Sequence, residues 1–366
     1  LRFLPEDGWT SAHQLTLDLH DGAARAALLA LDYEAVDRFG RSIDAHCPDP
    51  LERVERWVVQ IESLSGRGRL AEALAVGRVA LDALGLCLPA RVSSGRRWWN
   101  RLQSRWQLRA LTPARMGELP PMEDPRELAI ARIGEALVVP LFQAGPVHLG
   151  DLLHALLPRI LAHGCPPSGP FVLASWAAVV AARDDIGQGE ALGVAAVHLG
   201  SRESYRSARA RAELVFNITL GWRDRPLREV ATTVWSAVDG MLAAGDPTYV
   251  ALTVAHGLVL RLLSGAHLQR LAADVAWGTT LLRRLGEQPS LASVRATAAL
   301  VSRLRRDARE ETGRGQVVHA DLDALRSQGN TGSAALVGLL RGVGAVLWDE
   351  PEAAVTDLRS AVTRLT

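Results

Sequence analysis

The chain has 366 residues, a formal net charge of +1 and 48% hydrophobic residues. This apolar content is enough for a long buried core and excludes global disorder, while the balanced charge excludes a chain that binds nucleic acid or a membrane through its overall field. All 41 basic residues are arginine. Mechanisms that need a lysine, such as a P-loop or a Schiff base, are therefore excluded.

The cysteines and the hydropathy pattern indicate the compartment. Cys47, Cys87 and Cys165 lie far apart and form no CxxC pair, so we expect small buried residues in a reducing environment. Apolar runs of about 18 residues, which a membrane-spanning helix needs, are missing from the sequence. The chain begins without a Met or a signal-peptide pattern. We expect a cytoplasmic protein with no membrane contact, present here as a piece of a larger polypeptide.

The N-terminal 90 residues predict two helical hairpins. Their hydrophobic period is near 3.6 residues and is interrupted by turns that contain Gly, Pro or Asp. We predict helices over residues 12–30, 34–45, 51–65 and 70–84. The two hairpins are offset by about 37 residues, slightly more than the tetratricopeptide (TPR) period.

The hairpin pattern returns after residue 145, with turns predicted near residues 183–185, 220–222, 264–266 and 347–349. The charged, glycine-containing residues 307–316 predict a loop. Repeats that cannot bury their apolar faces individually must stack. The sequence therefore predicts an all-α fold, a TPR-like α-solenoid of stacked antiparallel helical hairpins. The predicted segments are N-terminal hairpins (1–90), an Arg/Trp-rich helix with a Pro-rich connector (91–125), central hairpins (126–306), and a loop with a C-terminal hairpin (307–366).

Four stretches carry a resemblance to a known family. They are residues 66–74 (GRGRLAEAL), 81–89 (LDALGLCLP), 119–125 (LPPMEDP) and 222–227 (WRDRPL). With them the chain resembles, from about residue 10 onward, the helical-repeat region of large bacterial AAA/STAND signalling ATPases, which are often linked to serine/threonine kinase or histidine kinase domains. The resemblance implies a cytoplasmic regulatory role that couples partner or ligand binding to neighbouring domains. It transfers no catalytic residue, because those lie in other domains.

Motifs for catalysis, cofactors and metals are missing from the sequence. It contains no GxxxxGK[ST], HExxH or GxSxG. Asp184 and Asp185 are interpreted as a solvated turn. His13 and His20 share a helical face near acidic residues, but we expect ordinary histidines there rather than a metal site. The sequence thus predicts no enzyme, no cofactor and no metal.

A basic stripe is the most informative feature of the sequence. Between Asp82 and Glu118 there is no acidic residue, and four arginines spaced by four would lie along one helical face beside two tryptophans. The members of this stripe are Arg97, Arg101, Arg105 and Arg109, with Trp98 and Trp106. Three interpretations are open. The stripe is covered by acidic residues of the same chain (Glu52, Glu55 and Glu62), binds an acidic surface of a neighbouring domain or partner protein, or meets nucleic acid or anionic lipid.

The leading hypothesis is a non-enzymatic protein-interaction and regulatory scaffold whose partners are proteins or peptides, including neighbouring domains of the same polypeptide. Its groove would be lined by side chains from the first helix of each hairpin, as in TPR arrays. The candidates are Trp57, Gln60, Trp176, Asn217 and His256. The alternative is a helical nucleic-acid- or effector-binding module of a transcriptional regulator.

Overall fold

The structure, a computed structural model, describes residues 4–88 except residue 6, residues 112–305 except residue 184, and residues 311–365. Every regular element in these ranges is a helix, and the only β-type backbone pairing there is an isolated bridge between Pro121 and Cys165. The predicted all-α class is confirmed. None of the helices in these ranges is both long and apolar enough to cross a membrane.

The N-terminal part contains two pairs of helices at the predicted positions, and the members of each pair pack on each other. Asp32 begins the second helix, because its carboxylate accepts a hydrogen bond from the Ala35 backbone N–H at 3.0 Å. A 3₁₀ turn, Pro50–Arg53, connects the two pairs. The helices are α1 (Gly8–Ser11), α2 (His13–Leu29), α3 (Tyr33–His46), α4 (Val54–Gly66) and α5 (Leu70–Ala83).

The central part continues the series from residue 113. Asp124 and Asp185 each start a helix by accepting backbone N–H bonds. The predicted turns near residues 183–185 and 220–222 lie between helices as expected. The helices are α6 (Pro113–Glu118), α7 (Pro125–Ala144), α8 (Pro146–His163), α9 (Gly169–Arg183), α10 (Ile186–Leu199), α11 (Arg206–Thr219), α12 (Leu227–Ser236) and α13 (Val238–Ala243).

The C-terminal part corrects one prediction. Residues 311–316 belong to a helix rather than to a loop, and residues 306–310 lie outside the described ranges. The turns near residues 264–266 and 347–349 are confirmed. The helices are α14 (Pro247–Leu263), α15 (Leu268–Leu285), α16 (Gln288–Leu304), α17 (Glu311–Ser327), α18 (Thr331–Leu347) and α19 (Pro351–Leu365).

One hydrophobic cluster runs through most of the molecule, from Trp57 on α4 to Val301 on α16. It includes α4, α5 and α7, so the segments predicted as 1–90 and 126–306 share a core. Smaller clusters lie at the two ends. Two of them are N-terminal, one around Ala24 and Val36 and the other formed by Leu17, Ile43 and Cys47.

Helices distant in sequence also meet. Thr331 Oγ1 at the start of α18 donates a hydrogen bond to the carbonyl of Gln143 on α7 at 3.1 Å, across 188 residues of chain. The turn before α16 lies against the turn between α2 and α3, where a Cβ on Gly286 would stand 2.9 Å from Leu31 Cδ2. The helices therefore do not contact only their nearest neighbours in the chain.

The segment that precedes α7 is bound to the turn after α8. Met122 N–H donates to the Cys165 carbonyl at 2.9 Å, and Cys165 N–H donates to the Pro120 carbonyl at 2.7 Å. Gly164 makes this approach possible, since it has a φ of +97° and any Cβ there would stand 2.6 Å from the Pro120 oxygen. Within the LPPMEDP stretch, Leu119 and Met122 are therefore buried in the packed core, while the other five residues are exposed.

Candidate functional site

An alternating series of acidic and basic side chains joins α2, α4, α7 and α11 to the start of α14. Each arginine in the series lies between two carboxylates. We call it the ionic ladder. In order, its members are Glu62, Arg25, Glu55, Arg132, Glu135, Arg211 and Asp246.

The ladder is held by short contacts between half-buried groups, and the least exposed side chains are those of Glu135 and Asp246. The nitrogen–oxygen distances are 3.3 Å for Arg25–Glu55 and 2.9 Å for Arg132–Glu55. Arg211 contacts Asp246 at 2.5 Å and also pairs with Glu135. Burial opposes the charged form of Arg132, but its bond to Glu55 and the surrounding carboxylates raise its pKa. The three arginines of the ladder are cations. Each compensates the negative charge of two neighbouring carboxylates.

The ladder ends in an excess of acidic groups around the start of α14. Thr248 Oγ1 donates to Glu287 Oε1 at 3.0 Å. Burial, with smaller contributions from Asp246 and Glu62, raises the pKa of Glu287 to about 7. Burial also raises the pKa of Glu62. The Tyr249 ring lies 4.8 Å below the Arg211 guanidinium, and its buried hydroxyl has no hydrogen-bond partner among the described residues.

The space beside the ladder is small. Two cavities of about 30 Å³ flank Glu62, one bordered by Arg132 and Tyr249 and the other by Tyr33 and Glu287. A volume of this size accommodates a water molecule or two and no larger ligand. The ladder therefore serves to hold these helices together.

Three of the predicted partner contacts are buried. Trp57, Trp176 and Asn217 retain 7%, 2% and 4% of their surface, so their side chains pack inside the molecule and do not line a groove. Trp176 stacks edge-on with His154, and Asn217 donates to the Glu213 carbonyl. We correct the prediction for these three. Large apolar or amide side chains at such positions are removed from water by the next helix in the stack.

The other two predicted contacts are half-buried. Gln60 accepts a hydrogen bond from Arg56. His256 Nδ1 is hydrogen-bonded to the Leu252 carbonyl at 2.9 Å. Burial lowers the pKa of this histidine. Their role in partner binding stays a prediction.

The basic stripe of Arg97, Trp98, Arg101, Arg105, Trp106 and Arg109 lies outside the described residues. The acidic residues assigned to cover it are nevertheless visible. Glu55 pairs with Arg25 and Arg132, Glu62 pairs with Arg25, and Glu52 bonds His13. All three interpretations of the stripe stay predictions.

A larger groove lies between the last four helices, α16 to α19. Its cavity volume is about 380 Å³, within the range of sites that bind small molecules or single side chains of a partner. The floor of the groove consists of alanines, one glycine and two leucines, and the small side chains leave space above it. The floor residues are Ala296, Ala299, Leu300, Leu340, Gly344, Ala345 and Ala353.

Charged groups and one tryptophan form the rim of this groove. The Arg303 guanidinium lies 4.1 Å above the Trp348 ring and contacts Glu350 at 2.9 Å. On the other side the half-buried Arg341 contacts the buried Asp357 at 3.3 Å, below the rim. An apolar floor with a rim of both charges suits an apolar side chain flanked by polar groups.

Metal-binding potential is concentrated near the N-terminus. Among the described residues, one group of His, Cys, Asp or Glu brings three ligand atoms together, and it consists of His13, Cys47 and Glu52. Sequence reasoning considered His13 but missed the other two, because they lie on other elements. The three cysteines are free; Cys47 and Cys165 are buried as predicted, but Cys87 is exposed, contrary to the prediction.

Comparison with known proteins adds no family. None of the models of known protein families matches the chain, and no curated protein has a significantly similar sequence.

Proposed function

We propose that this chain is a non-enzymatic protein-interaction and regulatory scaffold, built as a TPR-like α-solenoid of stacked antiparallel helical hairpins. The packing of consecutive helices along the chain supports the solenoid. In such arrays the function is carried by surfaces between repeats rather than by reacting side chains. The observation that carries the proposal is the groove between α16 and α19, which combines an apolar floor with a charged rim.

The occupant that we propose for this groove is an extended or helical protein segment that inserts one or two apolar side chains. Arg303 on the rim would pair with an acidic residue of that segment, and Glu350 with a basic one. The segment belongs to a neighbouring domain or to a separate partner. The wider proposal, a cytoplasmic fragment of a multidomain bacterial signalling ATPase, is supported by residues 66–74 and 119–125.

A groove-filling substitution tests this function. Gly344 borders the groove, and a Cβ there meets only ordinary contacts, with Leu300 Cδ1 at 3.5 Å. Gly344→Leu should therefore fold and place its side chain in the cavity. Gly22→Leu is the matched control, because a Cβ on Gly22 meets no atom within 4 Å.

Peptides selected from a random library on the wild-type chain would be titrated against both variants by fluorescence anisotropy. We expect apolar peptides whose affinity falls at least about tenfold in Gly344→Leu, since one buried apolar side chain contributes about 1.5–3 kcal/mol. Their affinity should be unchanged in Gly22→Leu. Peptides that bind all three chains equally would place the interaction elsewhere and contradict the groove.

Effector binding is a second candidate, because the volume of the groove also fits a small molecule. A small-molecule library screened by thermal unfolding would discriminate the two. Stabilisation of the wild-type chain and not of Gly344→Leu by a small ligand would favour the effector function. For the nucleic-acid alternative, binding to duplex DNA with a steep salt dependence would be the supporting result.

A further inference from the structure

Three side chains from three different elements converge near the N-terminus. His13 begins α2, Cys47 follows the last turn of α3, and Glu52 lies on the 3₁₀ turn before α4. Their ligand atoms all lie within 4.8 Å of one another, and His13 Nε2 is 2.9 Å from Glu52 Oε1. Imidazole, thiolate and carboxylate are the three side-chain groups that bind zinc in proteins.

The hydrogen bonding of His13 leaves one nitrogen directed at a negative charge. Its Nδ1 lies 3.2 Å from the Trp9 carbonyl, and a carbonyl oxygen only accepts, so Nδ1 carries a hydrogen. In a neutral ring Nε2 then presents a lone pair to the Glu52 carboxylate, which is repulsive. A positive species between the two atoms, either a proton or a metal ion, removes the repulsion. Histidines that bind metals commonly donate their second N–H to a backbone carbonyl, as His13 does here.

Cys47 supplies the third ligand from a closed environment. Its side chain has no exposed surface and packs with Leu17 and Ile43. A cysteine thiol keeps its proton at neutral pH unless a cation lies beside it. A cation bound between the three groups would compensate the charges of both the thiolate and the carboxylate.

We propose that His13 Nε2, Cys47 Sγ and a carboxylate oxygen of Glu52 bind one divalent transition-metal ion of the Zn²⁺ type. The thiolate and the imidazole select against Ca²⁺ and Mg²⁺, which prefer oxygen ligands. Three protein ligands leave the fourth tetrahedral position for water. The side chains of His13 and Glu52 are 36% and 28% exposed, which gives the ion a path from solvent and the ligands freedom to adjust.

Binding has a defined proton balance. The thiol of Cys47 loses its proton when sulfur binds the metal, and the proton between His13 and Glu52 is displaced as well. Up to two protons are therefore released per ion. The site would join α2, the end of α3 and the turn before α4, where the local hydrophobic cluster is small, so the ion would stabilise the N-terminal hairpin.

Cobalt serves as the spectroscopic probe. The whole chain, freed of metal by a chelator, would be titrated with Co²⁺. We expect one equivalent to produce tetrahedral d–d bands and a thiolate-to-cobalt charge-transfer band, and Zn²⁺ to displace both. Cys47→Ser should abolish the charge-transfer band. Cys87→Ser is the matched control and should leave it unchanged, since Cys87 is an exposed thiol outside the cluster.

A second variant keeps the test decisive should Cys47→Ser fail to fold. Glu52→Gln preserves the shape of the side chain and a polar partner for His13, but removes the negative charge. We expect the affinity for Co²⁺ to fall at least about tenfold, the lower end of the effect that loss of a supporting group has at metal sites. The absence of Co²⁺ binding by the wild-type chain would overturn the proposal. Binding that is insensitive to Glu52→Gln but lost in a His20→Ala, His46→Ala double variant would do the same, because it would assign the ion to other histidines.

Discussion

The ionic ladder and the groove between α16 and α19 use the same chemical groups in opposite ways. In the ladder, arginines and carboxylates face one another between helices and leave space only for water. In the groove, similar pairs stand at the rim while the apolar floor stays open. A charged cluster is thus not by itself a sign of ligand binding. What distinguishes the two regions is whether the cluster leaves volume beside it.

The same comparison separates stability from recognition. Charges that are withdrawn from water contribute strongly when one partner is removed, since the other is left uncompensated. Charges at a solvated rim contribute little to folding but select the partner. Substitutions in the ladder should therefore change the free energy of unfolding, and substitutions on the rim should change binding.

The largest effect is expected from Arg211→Ala. This change removes the cation between Glu135 and Asp246, whose side chains are only 11% and 13% exposed. We expect the free energy of unfolding to fall by about 4 kcal/mol, measured by urea denaturation. Arg209→Ala is the control, because Arg209 forms only an exposed pair with Glu213 on the same helix and should cost less than about 0.5 kcal/mol. Equal losses in the two variants would contradict the role of the ladder.

The second effect concerns pH and Glu287. Its pKa is raised from 4.5 to about 7 in the folded chain, so the folded state keeps a proton that the unfolded state loses. The free energy of unfolding should therefore fall as pH rises from about 4.5 to about 7, by about 3 kcal/mol, and level off above. Glu287→Gln should remove the contribution of Glu287 to this decline and leave that of other buried carboxyl groups, as measured by urea denaturation across that range.

Asp21 contributes to the same pH range, because burial raises its pKa to about 6. Asp21→Asn is therefore the comparison variant for Glu287→Gln and should reduce the decline only in part. An unchanged decline in Glu287→Gln would mean that this carboxyl group is ionised in the folded chain.

The smallest effect on stability is expected at the groove rim. Arg303→Ala removes a pair with Glu350, in which the side chains are 35% and 47% exposed, and a contact with the Trp348 ring. The free energy of unfolding, measured by urea denaturation, should change by less than about 1 kcal/mol. The affinity for groove-binding peptides should fall in the same variant. A large loss of stability in Arg303→Ala would show that the rim residues hold helices together, as the ladder residues do.

Much of the fold follows from local sequence. Asp32 and Asp185 begin helices where the turns were expected, because an aspartate side chain satisfies the free N–H groups of a first turn. Gly286 ends α15 in the left-handed conformation. These signals act within a few residues, so they can be recognised without knowledge of the tertiary structure. The prediction of a loop over residues 311–316 was wrong because charge and glycine are also tolerated in a helix.

The candidate sites depend on long-range contacts that local patterns do not specify. Arg132 reaches Glu55 across 77 residues and Arg211 reaches Glu135 across 76. The metal-binding cluster was missed for the same reason, since Cys47 and Glu52 approach His13 only after α3 folds back on α2. Trp57 and Trp176 were assigned to a groove from their position on the first helix of a hairpin, but packing against other helices buries both.

The hydrogen bond from Thr331 to Gln143, across 188 residues, affects how the molecule unfolds. An open array of repeats frays from its ends, because each repeat depends only on its neighbours. Here the start of α18 is tied to the end of α7, and the ladder spans helices from α2 to α14. Loss of a helix that carries ladder residues would leave charged partners on other helices uncompensated. We therefore expect the helices to unfold as a cooperative unit, in which a change at one end alters stability at the other.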